Sequence, residues 1–377
     1  MPIIVNISRD EILTALASFQ NITAKKGTIA ILANVLIEAE NDAVQMTCTD
    51  LEIGLRHTIP AEVLSPGSIT LPSKKLFEIV REAGSDHIHL KEKNNSWAEI
   101  TIESGNYNIC GMESEEFPHF PEYNPDNLVN FQTKNLIELI DKTAFSIAAE
   151  GESQFTLTGI LVEGHSLDDK SLLRFVSSDG HRLSLMQVDI GDKIEKLEID
   201  KRKVLIPKRG ISEIRKFCEL SDEVSFSIEE KQAVFITGDS ILIVRLMEGE
   251  FPDYLSLVNI INKDSFITVN RELLIHSFKR MSLFAEDKYN IVKFILDDNK
   301  INLSSQSMDI GNAREDISVD YTGDEIKLGF NGKYFIESLS VMKSEIVKLF
   351  ISSNESPCMI LSDKDPEFIS IIMPMHL

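Results

Sequence analysis

The chain has 377 residues, more than one hydrophobic core ordinarily serves, so two or three domains are expected. Its apolar content of 43% and charged content of 26% are those of a soluble globular protein, and no stretch is apolar for the length a membrane helix needs. A formal charge of -22 argues against a uniformly basic nucleic-acid binder, although an acidic shell around a basic lining gives the same sum. The start, MPIIVNISRDE, lacks the basic and long apolar regions of a signal peptide. Cys48, Cys110, Cys218 and Cys358 are far apart and form no CxxC pair, which fits reduced, mostly buried thiols of a cytoplasmic protein.

In chain order, the predicted elements repeat. The strand-like PIIVNI leads into SRDEILTALASFQNI (from Ser8), whose apolar residues recur at helical spacing; Ser8 with Glu11 reads as a capping box. A polar turn and alternating residues follow in TCTDLEIGLRHTI, then a second helix, PSKKLFEIVREA, opened by Pro72. Alternating strands then run through HIHLKEKNNSWAEITIESGNYNICGM, and GMESEEFPHFPE closes the copy in an extended turn. The order recurs from LVNFQ: TKNLIELIDKTAFSIA (from Thr133), VSSDGHRLSLMQV, PKRGISEIRKFCE (from Pro207), EVSFSIEEKQAVFITGDSILIVRLM and RLMEGEFPDYLS. It recurs again from DSFITV: NRELLIHSFKRMSLFA (from Asn270), LSSQSMDIGNARED, NGKYFIESLSVMKSE (from Asn331) and the ending IIMPMHL. Thr49 and Ser177 are 128 positions apart, and Ser177 and Ser304 are 127 apart. The pattern predicts three α+β domains, 1–128, 129–258 and 259–377, each ordered β-α-β-β-β-β-α-β-β-β with two helices and antiparallel sheets.

Basic residues gather on these helices: Lys74, Lys75 and Arg81, then Lys208, Arg209, Arg215 and Lys216, with Lys25 and Lys26 in the loop after the first helix. Acidic residues dominate the strands and loops. Two readings stand: a comparatively basic surface that holds phosphates without reading bases, or helices that are simply Lys-rich where solvated.

No catalytic constellation is apparent. Ser178-Asp179-Gly180-His181-Arg182 has serine, acid and histidine, but lined up along one strand, and it is not G-x-S-x-G. His87 and His89 share one face of a strand with no third metal ligand nearby. There is no P-loop and no GxGxxG, and Trp97 alone makes no stacking platform. A non-enzymatic scaffold or ring with no cofactor and no metal is expected.

SSDGHRLSL (177–185) resembles the T-D-G-H-R-L string of the β subunit of bacterial DNA polymerase III, and IIMPMHL resembles that family's M-P-M-R-L terminus. TDLEIGL, LPSKKLFEI, EFPHFPE and GEFPDY also match at the right spacings, so the resemblance covers the whole chain. It implies the DNA clamp fold: three domains forming half of a ring, two subunits joined head to tail, helices lining the hole. It further implies a processivity factor that encircles duplex DNA without reading sequence. Polymerases, the clamp loader and repair polymerases would be tethered through short peptides rich in Gln, Leu and Phe.

The resemblance also implies site residues. A peptide pocket would use Leu157, Ser178, Gly180, His181, Arg182, Leu183, Pro252, Leu257, Tyr289, Ile371, Met373, Pro374, Met375 and Leu377. DNA would be met by Lys26, Lys74, Lys75, Lys208 and Arg209. At the homodimer interface, Tyr107 and Ile109 on an edge strand would meet Leu283 and Phe284 of the other subunit. The chain departs from the family pattern at Ser256 and His376, where Arg is common, and at Pro357, often Ser. These departures leave open a specialised relative acting as a repair or interaction adaptor.

Overall fold

The structure, a computed structural model, describes residues 2–23, 29–151, 154–167, 169–199, 202–285 and 290–375. The first stretch contains β1 (Ile4–Ser8), α1 (Arg9–Phe19), β2 (Asn34–Glu40), β3 (Ala43–Thr49), β4 (Ile53–Ser65), β5 (Gly67–Pro72), α2 (Ser73–Arg81), β6 (His87–Glu92), β7 (Trp97–Ile102) and β8 (Gly105–Cys110). The second contains β9 (Val129–Gln132), α3 (Thr133–Asp141), β10 (Gly159–Leu167), β11 (Lys170–Ser178), β12 (Arg182–Asp189), α4 (Lys193–Leu197), β13 (Val204–Pro207), α5 (Lys208–Phe217), β14 (Glu223–Ile228), β15 (Gln232–Thr237) and β16 (Ser240–Arg245). The third contains α6 (Tyr254–Ile260), β17 (Ile267–Asn270), α7 (Arg271–Ser282), β18 (Ile291–Asp297), β19 (Lys300–Ser307), β20 (Gly311–Ser318), β21 (Ile326–Asn331), α8 (Gly332–Ser340), β22 (Ile346–Phe350), β23 (Cys358–Leu361) and β24 (Phe368–Ile372). Leaving aside the short α4 and α6, the expected order recurs three times.

Two compact units emerge, residues 1–133 with 216–245, and residues 134–215 with 246–377. In the first, one sheet runs β8-β7-β6-β1-β4-β16-β15-β14-β9, with β2, β3 and β5 paired beside it. The long β4 pairs with β1, β3 and β16 along its length. In the second unit, an eight-stranded sheet runs β13-β10-β11-β12-β24-β23-β22-β17, and a four-stranded sheet runs β20-β19-β18-β21. Among the described residues every strand pairing is antiparallel. The hairpin turns follow the sequence chemistry: Asn41 and Asp42, and Asp298 and Asn299, all take positive φ, as two-residue hairpin turns of the mirror-image type require.

Helical periodicity is converted into core. In α1, Ile12, Ala15, Leu16 and Phe19 are buried, the i, i+3, i+4, i+7 stripe of an amphipathic helix. Each large side chain so buried contributes about 1.5–3 kcal/mol. In the third repeat, Phe278 of α7 and Phe335 of α8 stack at 4.4 Å, with Phe330 edge-on to Phe335 at 5.1 Å. Cys48, Cys218 and Cys358 are buried and unbridged, while Cys110 is exposed; burial pushes the Cys358 thiol far up, which keeps it inert.

Two local expectations are corrected. Ser8 precedes α1, but its side chain caps nothing; it belongs to β1, whose pairing to His87 holds it in the sheet. Side-chain caps do form at Asn270, which accepts from the Leu273 N–H at 2.9 Å, and at Asn331, which accepts from the Lys333 N–H at 3.0 Å. EFPDYLS does not end as an extended turn. After Pro252 the chain winds into α6, because Tyr254 and Val258, one turn apart, both bury.

Candidate functional site

The string Ser178 to Arg182 spans a hairpin rather than one strand. Ser178 ends β11, Asp179 to His181 make the turn, and Arg182 opens β12. The turn is closed by side chains. The Ser178 hydroxyl donates to the Arg182 carbonyl at 2.7 Å, and Asp179 Oδ1 accepts from the N–H groups of His181 (2.9 Å) and Arg182 (3.1 Å). Gly180 holds φ +89°, a conformation that favours glycine. The Asp179 carboxylate is therefore committed to the turn and to Arg182 Nε at 2.9 Å, and does not orient the exposed His181 as a base for Ser178. Among the described residues no group of three His, Cys, Asp or Glu is placed to hold a metal ion.

β12 then pairs with β24, placing Leu183 opposite Ile371. Beyond β24 the chain stays attached: the Met373 N–H donates to the His181 carbonyl and the Met375 N–H to the Gly329 carbonyl, each at 2.8 Å. Met373, Pro374 and Met375 are half-buried there. Leu183 and Ile371 belong to an apolar cluster with Leu161, Val176, Leu185, Leu205, Tyr254, Val258, Ile261, Phe350 and Met359, against which Leu257 and Phe251 pack. Pro252 is exposed just before α6 and Leu157 is buried just before β10. One unit thus gathers a buried apolar floor and half-buried Leu257, Met373 and Met375 from segments about 200 residues apart.

Arg182 is 8% exposed, and its guanidinium is turned inward. It bonds Asp179, the Glu337 carboxylate and the Phe145 carbonyl (2.6 Å), and it stacks over Tyr334 at 4.4 Å. Its geometry is that of a brace behind the hairpin. Tyr289 and Leu377 lie outside the described residues, as does Lys26. Leu161, Val176, Leu205 and Met359 were not singled out by any motif; their register across the sheet identifies them as floor.

The remaining basic positions are exposed. Lys74 and Lys75 open α2, with Lys75 paired to Glu78 at 2.7 Å; Lys208 and Arg209 open α5. Cations in the first turn oppose the helix dipole, so these positions gain nothing from the helix they open. Tyr107 (46% exposed) and Ile109 (9%) lie on β8, an edge strand of its sheet. Leu283 is 69% exposed after α7, and Phe284 is half-buried.

A thrice-repeated α+β module, with strand edges exposed and no enzyme-like centre in the hairpin, defines the DNA-clamp class of fold. Three family models match in series: the N-terminal domain of the DNA polymerase III beta subunit over residues 3–121, its central domain over 130–253 and its C-terminal domain over 261–376. The chain belongs to the DNA polymerase III beta subunit family, the bacterial sliding clamps. It is 28% identical to the beta sliding clamp of Chlamydia muridarum, over 98% of both chains, and 28% identical to that of Caulobacter vibrioides, over 99% of this chain and all of the other. A Caulobacter crescentus sliding clamp crystallised with a polyethylene glycol superposes over the full length of both chains at 26% identity and a TM-score of 0.93. The Bacillus subtilis clamp superposes with a TM-score of 0.90 at 25% identity, again over both whole chains.

Proposed function

We propose that two copies of this chain close into a ring around duplex DNA and that the ring tethers polymerases as a non-catalytic processivity factor. The apolar floor under Leu183, Leu257 and Ile371, edged by the chain end at Met373 to Met375, is the observation that carries this reading. It suits the Leu and Phe anchors of a short peptide, while backbone groups along its edge suit the peptide's polar atoms. The occupants are Gln-, Leu- and Phe-containing peptides of the replicative polymerase, the clamp loader and repair polymerases. Pocket contacts are assigned to Leu157, Leu183, Pro252, Leu257, Ile371, Met373, Pro374 and Met375, with Ser178, Gly180 and His181 shaping the rim and Arg182 bracing it.

Retention on DNA is topological. A closed ring leaves only by opening or by reaching an end, so its phosphate contacts need not be strong. Lys74, Lys75, Lys208 and Arg209 supply weak, salt-screened contacts that permit sliding. The charge of -22 then belongs mainly to surfaces away from the duplex, where it discourages stray DNA. The ring closes where β8, with Tyr107 and Ile109, meets the other subunit's Leu283 and Phe284, which would cover an edge strand that otherwise invites aggregation. The three domains 1–128, 129–258 and 259–377 each supply two helices to the inner wall. The setting is the cytoplasm, and no cofactor takes part.

The test is retention of the loaded protein on nicked circular DNA and its loss once the circle is linearised. Equal retention on both forms refutes the ring. Removing Met373 to Leu377 must abolish polymerase stimulation while leaving the gel-filtration mass of a dimer.

A further inference from the structure

The sheet face that carries the apolar floor also carries a polar row beside it. Antiparallel register sets Leu161, Val176, Leu185 and Ile369 side by side as the apolar row. Two residues along each strand, on the same face, stand Glu163, Arg174 and Gln187. They are bonded as a ladder. Arg174 Nη1 lies 3.6 Å from the Glu163 carboxylate, Arg174 donates from Nε and Nη2 to Gln187 Oε1 (3.0 and 2.8 Å), and Gln187 Nε2 donates to Glu367 at 2.7 Å. Glu163 and Arg174 are 5% and 6% exposed, and Lys203 reaches Glu163 at 3.2 Å.

One group from outside the sheet enters this row. Tyr254, the first residue of α6 and 3% exposed, donates its hydroxyl proton to Glu163 Oε1 and accepts from Arg174 Nη1 at 2.8 Å. Helix α6 has seven residues, too few to be stable alone, so something must fix it. Leu257 follows Tyr254 by three residues, within one turn, and packs on the floor.

The first repeat supplies an internal comparison. There Glu38, Gln45 and Thr58 stand at the places of Glu163, Arg174 and Gln187, and Arg56 at that of Leu185. In EFPHFPE, Phe120 takes the place of Tyr254. Phe120 has no hydroxyl; its ring lies under Arg56 at 4.2 Å and against Gly54, where a Cβ would come within 3.1 Å. No α-helix starts at Phe120; the chain runs on to a single 3-10 turn at Pro125–Asn127. Tyrosine over Glu and Arg accompanies an ordered helix with a Leu on an apolar floor, while phenylalanine over Arg accompanies an extended chain on a polar one.

We infer that the Tyr254 hydroxyl, held between Glu163 and Arg174, is a positioning group for peptide binding: it fixes α6 so that Leu257 stands as a wall of the pocket. This rests on the peptide-pocket reading above. A floor alone would accept an apolar side chain from many directions. A wall held from behind by a buried ionic ladder selects the direction of the incoming Leu or Phe.

The experiment measures binding of a labelled Gln-Leu-Phe-containing peptide by fluorescence anisotropy, well below the melting temperature, on the full-length chain. Tyr254→Phe is expected to weaken binding about 10-fold, with dimer mass and retention on circular DNA unchanged. Leu257→Ala weakens it comparably, and adding Tyr254→Phe to that background costs less than about 2-fold, because the hydroxyl acts through Leu257. Full additivity, or a Tyr254→Phe affinity within about 2-fold of the native chain, overturns the inference. If Tyr254→Phe does not fold, hydrogen exchange on the native chain decides. The α6 amides must be protected like those of β11 and β12, and exchange as fast as the preceding Glu248 to Asp253 stretch overturns it. A native chain that binds no peptide defeats the pocket reading itself, and with it the role of Tyr254; a native chain that binds while Tyr254→Phe binds equally defeats only the latter.

Discussion

Lys142 sits almost wholly out of water in the second unit, with 4% of its side chain exposed, and Asp365 opposite has 1%. The ammonium lies 2.5 Å from Asp365 Oδ1 and 2.9 Å from Glu138 Oε1, and over the Phe368 ring at 5.5 Å. Asp365 also accepts from the Lys343 N–H and the Ser362 hydroxyl, both at 2.8 Å. Lys142→Met keeps the volume but leaves Asp365 buried with two donors and no cation. Breaking a buried pair by removing one partner costs about 3–5 kcal/mol, and the surviving donors place this case near about 3. For a unit of this size that is a fall in melting temperature of about 6–12 °C. Lys142→Met with Asp365→Leu should regain most of it, since no charge is then stranded.

The pH dependence fixes the sign. Burial pushes the Asp365 carboxyl up, but hydrogen bonds from Lys142, the Lys343 backbone and Ser362 outweigh it and hold the group below its ordinary value. Its contribution is therefore present above the unfolded pKa of about 3.9 and lost as pH falls through the lower folded value. Without Lys142, burial acts against fewer opposing groups, so the variant's deficit narrows as the pH is lowered toward about 4. Differential scanning fluorimetry and urea titration between pH 4 and 8 measure both. A Lys142→Met protein within about 0.5 kcal/mol of the native chain, or a double variant no better than the single, refutes the argument.

His57 of β4 is 7% exposed, and burial pushes its pKa down to about 4. Ser18 Oγ, already donating to the Ala15 carbonyl, accepts from Nε2 at 2.8 Å, so Nδ1 accepts from Ser240 at 2.6 Å and the ring is neutral. Because the unfolded chain takes a proton near about 6.5, stability should fall by about 2–3 kcal/mol as pH drops from about 6.5 toward 4. His57→Gln should flatten that slope in urea titrations. Leu283→Asp, placing a charge on the exposed residue proposed to meet the other subunit, should halve the gel-filtration mass; Ile109 is a poorer probe, because it is already buried within its own subunit. Reversing Lys74, Lys75, Lys208 and Arg209 to Glu should weaken DNA association at low salt and flatten its salt dependence, with the peptide affinity unmoved.

The repeat order and the helices from Ser8, Thr133 and Asn270 were legible because each depends on local apolar spacing; the hairpin from Ser178 to Arg182 was not, since its residues read as one strand until the pairing of β11 with β12 bends the chain there. Leu183 and Ile371 lie in short motifs that resemble the family's, and Leu257 was carried over from the same resemblance; that Leu183 and Ile371 pair across two strands was not written in either motif. The capping role given to Ser8 was not legible, because strand pairing outbid a side-chain cap. Nor was α6, whose two turns follow a Pro and exist only against a floor the local sequence does not contain.

What the sequence alone determined was three copies of one module and a chain rich in acid with basic helix starts. Only the tertiary structure decided which faces of β10, β11, β12 and β24 look the same way. Antiparallel register set Glu163 against Arg174 and Leu183 against Ile371 across gaps of up to 188 positions. Burial then turned Tyr254, Lys142 and Arg182 from surface-like letters into anchored groups. The physical reason is that pairing and desolvation are long-range properties: a residue's partners lie on other strands, and its own neighbours in sequence carry no record of them.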